Sequence, residues 1–149
     1  VSLAALTGAI VTTLSSRLTP VRVKEHGGSF TERELALLLG EAPCLLVSPI
    51  GLADFGPNHN LNGWQATARF TVYCLSTDAN GHRADAAKDQ AQAVLNLLLE
   101  DQDWGLPTQC DVPVLTSLRA ENLYSGKINV LSVALWAVSW DQLFIFTTP

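Results

Sequence analysis

Apolar positions lay out the elements of this chain before any composition is counted. Leu3, Leu6, Ile10, Leu14 and Leu18 recur at three- and four-residue steps, the spacing of one stripe on a helix. Pro20 closes that helix. "VRVK" (21–24) alternates and reads as an edge strand, and "HGGS" (26–29) reads as a turn. Thr31 stands three residues before Glu34, a capping-box spacing. It predicts a short helix with Leu35, Leu38 and Leu39 facing inward and Gly40 just past its end.

The middle of the chain changes period. "PCLLVSPIG" (43–51) is a short apolar run bounded by Pro and Gly, the pattern of a buried strand. "GLADFGPNHNLNG" (51–63) holds three Gly, three Asn and one Pro, and is predicted to be a long loop, of a length that is usually functional or disordered. In "WQATARFTVYCLS" (64–76), Trp64, Ala66, Ala68, Phe70, Val72 and Cys74 share one face. Gln65, Thr67, Arg69, Thr71 and Tyr73 share the other, so one face is buried. A helix follows from His82 to about Glu100, with Ala84, Ala87, Ala91, Val94, Leu95, Leu98 and Leu99 as its stripe. Residues 113–125 read as a strand, or a strand with a bulge, that Gly126 separates from the last one.

That last strand, "KINVLSVALWAVSWDQLFIF" (127–146), is apolar on both faces. Val130, Ala134, Trp136, Val138 and Trp140 point one way, and Leu131, Val133, Leu135, Ala137 and Leu143 the other. The order α, β, α, β, β, α, β, β predicts an α+β fold in two layers. A mostly antiparallel sheet of four or five strands carries helices on one face, within a single domain over 1–149. If helices cover one face, the tryptophans or their opposites are left wet, which monomers seldom tolerate. Either a helix crosses each face or a partner chain covers one. The helices are few, which favours the partner.

Composition sharpens that expectation. Apolar residues make up 48% of the chain and charged residues 15%, against a usual share of about 25%. No stretch of 18 or more residues is apolar throughout, so a membrane is not the explanation and an oligomer interface is. The net charge of −5, with scattered basic residues, argues against binding by neutralising phosphates. Cys44, Cys74 and Cys110 are odd in number and widely spaced, neither a disulfide framework nor a zinc pattern. The chain contains no Met, which fits an initiator Met removed before Val1, and the whole fits a reducing, intracellular origin.

Catalytic signatures are missing from the sequence. His26, His59 and His82 fall in three separate turns or loops without metal-ligand spacing, so no metal and no cofactor is expected. Asp54 and His59 share the predicted loop, where a solvated pair is the ordinary reading. "HGG" (26–28) has the look of an oxyanion-hole motif but no nucleophile elbow accompanies it. A cysteine-dependent hydrolase would have to use Cys110, yet the adjacent Asp111 raises a thiol pKa. No catalytic residue is assigned, and the expectation is not an enzyme.

The chain nonetheless resembles a known family. The carrying strings are "PCLLVSPIG", "GWQATARFTVYCLS", "VLNLLLEDQDWG" and "ENLYSGKINVLSVALWAVSWDQ", in that order behind an amphipathic helix. The most distinctive part is Asn122-Leu123-Tyr124-Ser125 followed by the strand ending Trp140-Asp141-Gln142. Together they resemble the tail proteins of Mu-like phages and prophages, a family assigned as tail terminators, over nearly the whole chain.

The resemblance implies a virion protein at the head-proximal end of a contractile tail, assembled in the bacterial cytoplasm. It implies a homo-oligomeric ring, typically a hexamer, that stops tube and sheath polymerisation. Its partners would be tail tube and sheath proteins and the head–tail connector or neck, with DNA sliding through the lumen unbound. On that reading the sheet, carrying Arg69, Tyr73, Trp136 and Trp140, makes subunit contacts. The loop with Asp54, Phe55, Asn58, His59 and Asn60 contacts the tube or neck. Another neck or tail-completion protein, the Cys110 hydrolase and a plain ligand-binding domain stay open as alternatives.

Overall fold

The computed structural model describes residues 1–27, 31, 33–34, 37, 43–58, 63–77, 84–123 and 133–146. Helix α1 runs Leu3–Arg17, and the Ser2 hydroxyl accepts the Ala5 N–H at its start. Its predicted stripe is the buried one: Leu6, Ile10 and Leu14 lose all exposure. Thr7, on the same side, donates its hydroxyl to the Leu3 carbonyl and so enters the core without an unmet polar group. The second helix, α2, spans Ala84–Leu98 and buries Ala87, Ala91, Val94, Leu97 and Leu98. Leu97 widens the stripe. Leu99, expected inside, lies just past the helix end and is exposed.

Among the described residues five strands form one sheet. They are β1 (Arg22–Glu25), β2 (Cys44–Asn58), β3 (Gly63–Thr77), β4 (Arg119–Asn122) and β5 (Val133–Phe146), in the order β1-β2-β3-β5-β4. β1 is parallel to β2, and every other pairing is antiparallel. The two long helices lie on one face, α1 over β1 and β2, α2 over β3 and β5. The expected α+β architecture is thus the observed one. Among the described residues no helix is long and apolar enough to cross a membrane.

The predicted loop over 51–63 is overturned for 51–58, which continue β2 and pair with β3 as far as Asn58↔Gly63. Its glycines and proline misled because β2 tolerates them. Beyond Val47 no described strand pairs with the outer edge of β2, so Pro49 and Pro57 forfeit no ladder bond there. Register shifts between Pro49 and Gly51 and between Ala53 and Gly56 take up the irregular residues as bulges. Asp54 sits in the second with φ 56°, a left-handed conformation that Asp tolerates better than most residues. Residues 59–62 lie outside the described residues.

The short helix begins as expected, with the Thr31 hydroxyl accepting the Glu34 N–H at 3.1 Å, and Glu34 pairs with His26. Leu35, Leu38, Leu39 and Gly40 lie outside the described residues, as do Gly126, Val130 and Leu131. Within 113–123 the chain forms a 3-10 turn, Leu115–Ser117, and the short β4, and residues 124 and 125 lie outside the described residues.

Candidate functional site

Strand parity places each side chain on one of two sheet faces. On the helix-covered face, Phe70 pairs across strands with Trp140 and Cys74 with Trp136. Trp140 is fully buried there, stacked on Phe70 at 5.6 Å between ring centroids and beside Trp104 at 5.9 Å. Trp136 is half-buried against the same core. Trp140 therefore has no surface to offer another subunit. The sequence left open which face the helices take, and α1 and α2 pack on the tryptophan side of the sheet.

A single amide ties this core together. The Gln142 Oε1 accepts both indole N–H groups, from Trp104 at 2.8 Å and Trp140 at 2.9 Å. Its Nε2 donates to the carbonyls of Gln102 (2.8 Å) and Asp111 (2.6 Å). All four hydrogen-bonding positions of the amide are filled. Gln142 thus fastens the 102–111 segment, including Trp104 at φ 57° and Gly105 at φ 76°, along the end of the sheet. Sequence reasoning missed this residue. The available signal was a glutamine two positions after Trp140, on the same strand face, within an apolar run.

The other face changes character along the strands. At one end Cys44, Leu46, Tyr73, Leu75, Leu135 and Ala137 form a second, smaller buried cluster, with Leu123 packed against it. Next comes a hydroxyl row in which Thr71 and Ser139 bond at 2.8 Å, and the buried Ser48 hydroxyl has no partner among the described residues. Then Arg69 grips Asp141 through two bonds, 2.8 and 3.1 Å. That bidentate bond, and the carboxylate charge behind it, raises the Arg69 pKa. Arg69 itself stays well exposed. Clefts flank the pair on both sides. One of about 450 Å³ is lined by Val114, Ser117, Arg119, Glu121 and Ser139. One of about 300 Å³ is lined by Ile50, Leu52, Asp54 and Thr67.

The four residues expected at a subunit interface are therefore split. Arg69 and Tyr73 share the face opposite α1 and α2, and Trp136 and Trp140 share the face that those helices cover. Tyr73 is almost wholly buried, which pushes its pKa up. Of the residues expected to reach the tube or neck, Asp54, Phe55 and Asn58 lie on β2 rather than in a loop. His59 and Asn60 lie outside the described residues. Phe55 is exposed and meets Phe146 edge-on at 6.3 Å.

The three cysteines are buried. Burial, with Cys44 nearby, pushes the Cys74 thiol up to about 12. Burial, then the carboxylates of Asp103 and Asp111, does the same to Cys110, also to about 12. A thiol held that high carries almost no thiolate at neutral pH. Among the described residues no group of three His, Cys, Asp or Glu side chains is placed to hold a metal ion.

Fold and surfaces together define a two-layer α+β protein whose sheet is packed by helices on one side and partly open on the other. The chain matches the family described as Bacteriophage Mu, Gp37, over residues 2–145, and belongs to it. It is a bacteriophage protein of a structural, tail-related class. No curated protein matches it.

Proposed function

We propose that this protein is a tail terminator: a ring, in our reading a hexamer, seated on the head-proximal end of the tail tube of a contractile tail. The ring stops tube polymerisation and presents a surface to the neck of the head, and DNA passes through its lumen without specific binding. The observation that carries the proposal is the family match across nearly the whole chain. The surfaces support it. The uncovered face keeps an exposed, polar middle around Arg69 and Asp141, and large apolar side chains stand in solvent at its flanks. A net charge of −5 per copy is compatible with a lumen that DNA does not adhere to.

We read the protein as a binding component rather than a catalyst. The raised Cys110 thiol supports that reading over a cysteine hydrolase, because the nucleophile would be protonated. Light scattering over a range of concentrations, with and without isolated tail tubes, tests the proposal. A discrete ring-sized species, free or formed on tubes, is expected. A chain that stays single in both settings overturns it.

A further inference from the structure

The two edges of the sheet are built differently. β2, the outermost described strand beyond Val47, carries Pro49, Pro57 and two bulges, devices that keep a strand edge from pairing with another chain. β4 closes the other side of the sheet and has neither proline nor register shift. All four of its residues, Arg119–Asn122, are exposed. One bond fixes which backbone groups face outward. The Leu123 N–H donates to the Leu135 carbonyl at 2.9 Å, and the register sets these two residues opposite each other. In an antiparallel ladder such hydrogen-bonded pairs alternate with non-bonded ones, so Arg119, Glu121 and Leu123 turn their backbone groups toward β5. Ala120, between them, turns its N–H and C=O away from the sheet.

The side chains on either side of Ala120 are charged and opposite in sign. Arg119 and Glu121 lie across from Ser139 and Ala137, on the face away from α1 and α2, and both line the cleft of about 450 Å³. Neither makes an ion pair among the described residues. Arg69 and Asp141, the next charges on that face, satisfy each other. Asp111 is exposed but sits beside Leu143, five positions along β5 from Val138, the residue opposite Ala120, which is about 17 Å away. Read antiparallel, the run Arg-Ala-Glu is its own complement. With Ala120 set opposite Ala120 of a second copy, the two residues exchange a pair of backbone bonds. Each Arg119 then falls across from the second copy's Glu121 in a non-bonded pair, where facing side chains come closest. A parallel arrangement, or an antiparallel one shifted by two residues, sets like charges together. A second copy therefore brings the pattern that this edge matches, and in one register.

We propose that the free chain pairs with a second copy of itself across a two-fold axis, β4 against β4, centred on Ala120. Copies so related face opposite ways, whereas copies in a ring face the same way, so the pair belongs to the protein off the tail and does not rest on the ring reading. Four residues a side bury far less than the roughly 800 Å² per partner of a standard interface, so the pair is weak and reversible. Charge reversal tests it, read by light scattering without tail tubes up to about 1 mM chain, with far-ultraviolet circular dichroism checking that each variant folds. The parent mass should rise with concentration from one chain toward two, and less so in about 1 M salt. Arg119→Glu and Glu121→Arg, each alone, set like charges across the axis and should stay single. An equal mixture of the two should pair again, and so should the chain carrying both substitutions, because each restores opposite charges. Ala120→Pro removes the outward N–H, leaves the β5 ladder whole, and should stay single. Single reversals that pair as well as the parent overturn the proposal. A parent chain that stays single off the tubes but is ring-sized on them overturns the pair and leaves the terminator reading standing. A chain that stays single in both settings overturns both.

Discussion

Gln142→Met asks the most of the structure. Methionine has an unbranched side chain of similar length, so the substitution removes the amide while keeping most of the volume. Two indole N–H groups, on Trp104 and Trp140, then lose their acceptor at sites with 4% and 0% exposure. Each buried unmet donor is worth about 1–3 kcal/mol, so the pair sums to roughly 2–6 kcal/mol. The carbonyls of Gln102 and Asp111 are discounted, because Asp111 is exposed and water can replace the amide there. Against a total stability of about 5–15 kcal/mol this is a large fraction. For a chain of this size it corresponds to a melting temperature lower by about 5–20 °C. Urea unfolding followed by circular dichroism measures it, with an unchanged m-value as the check that only stability moved. Gln92→Met is the control, since that amide makes only an exposed bond to Asn96 and should shift stability by less than ~0.5 kcal/mol. If Gln142→Met loses less than ~1 kcal/mol, the amide is not the clamp described here.

Trp140→Ser should destabilise the monomer by about 3–5 kcal/mol, because it empties the stacked core beneath α2, so its loss of assembly in a ring assay would report unfolding. Arg69→Ala removes an exposed ion pair and should leave the melting temperature nearly unchanged, so any loss of ring-sized species in light scattering would come from the uncovered face. The raised thiols of Cys74 and Cys110 stay protonated in the fold up to about 12, while unfolded thiols ionise from about 9. The unfolded chain therefore sheds protons first, and stability is full below pH 9 and falls as pH rises toward 12. Denaturant titrations at successive alkaline pH values should show that slope, and Cys74→Ala should flatten it. At neutral pH a maleimide should label native cysteines slowly and all three once unfolded; fast labelling of Cys110 in the native chain would reopen the case for a nucleophile.

Periodicity alone decided much of this molecule. The four-residue repeat Leu6-Ile10-Leu14 fixed the buried stripe of α1, and the strict alternation of 64–76 fixed which β3 residues share a face. The two-sided apolar pattern of 133–146 correctly required that both faces of β5 be covered in part. Those are properties of neighbours in sequence, set by the 3.6- and 2-residue repeats of the backbone.

Which face the helices cover is a different kind of fact. Alternation says that Trp136 and Trp140 lie together and opposite Leu135 and Ala137. It does not say which set meets α1 and α2, because that depends on contacts between elements far apart in the chain. Trp140 went inward because the register sets it across from Phe70, and Trp104 and Gln142 complete its pocket from the other side. Residues 51–58 were misread for the same reason. Glycine and proline break an isolated strand, but a strand paired along one edge only can absorb them as bulges. The row that joins Gly51 to Val114 likewise crosses three strands and a returning segment. No window of sequence contains both of its ends, so only the folded chain could join them.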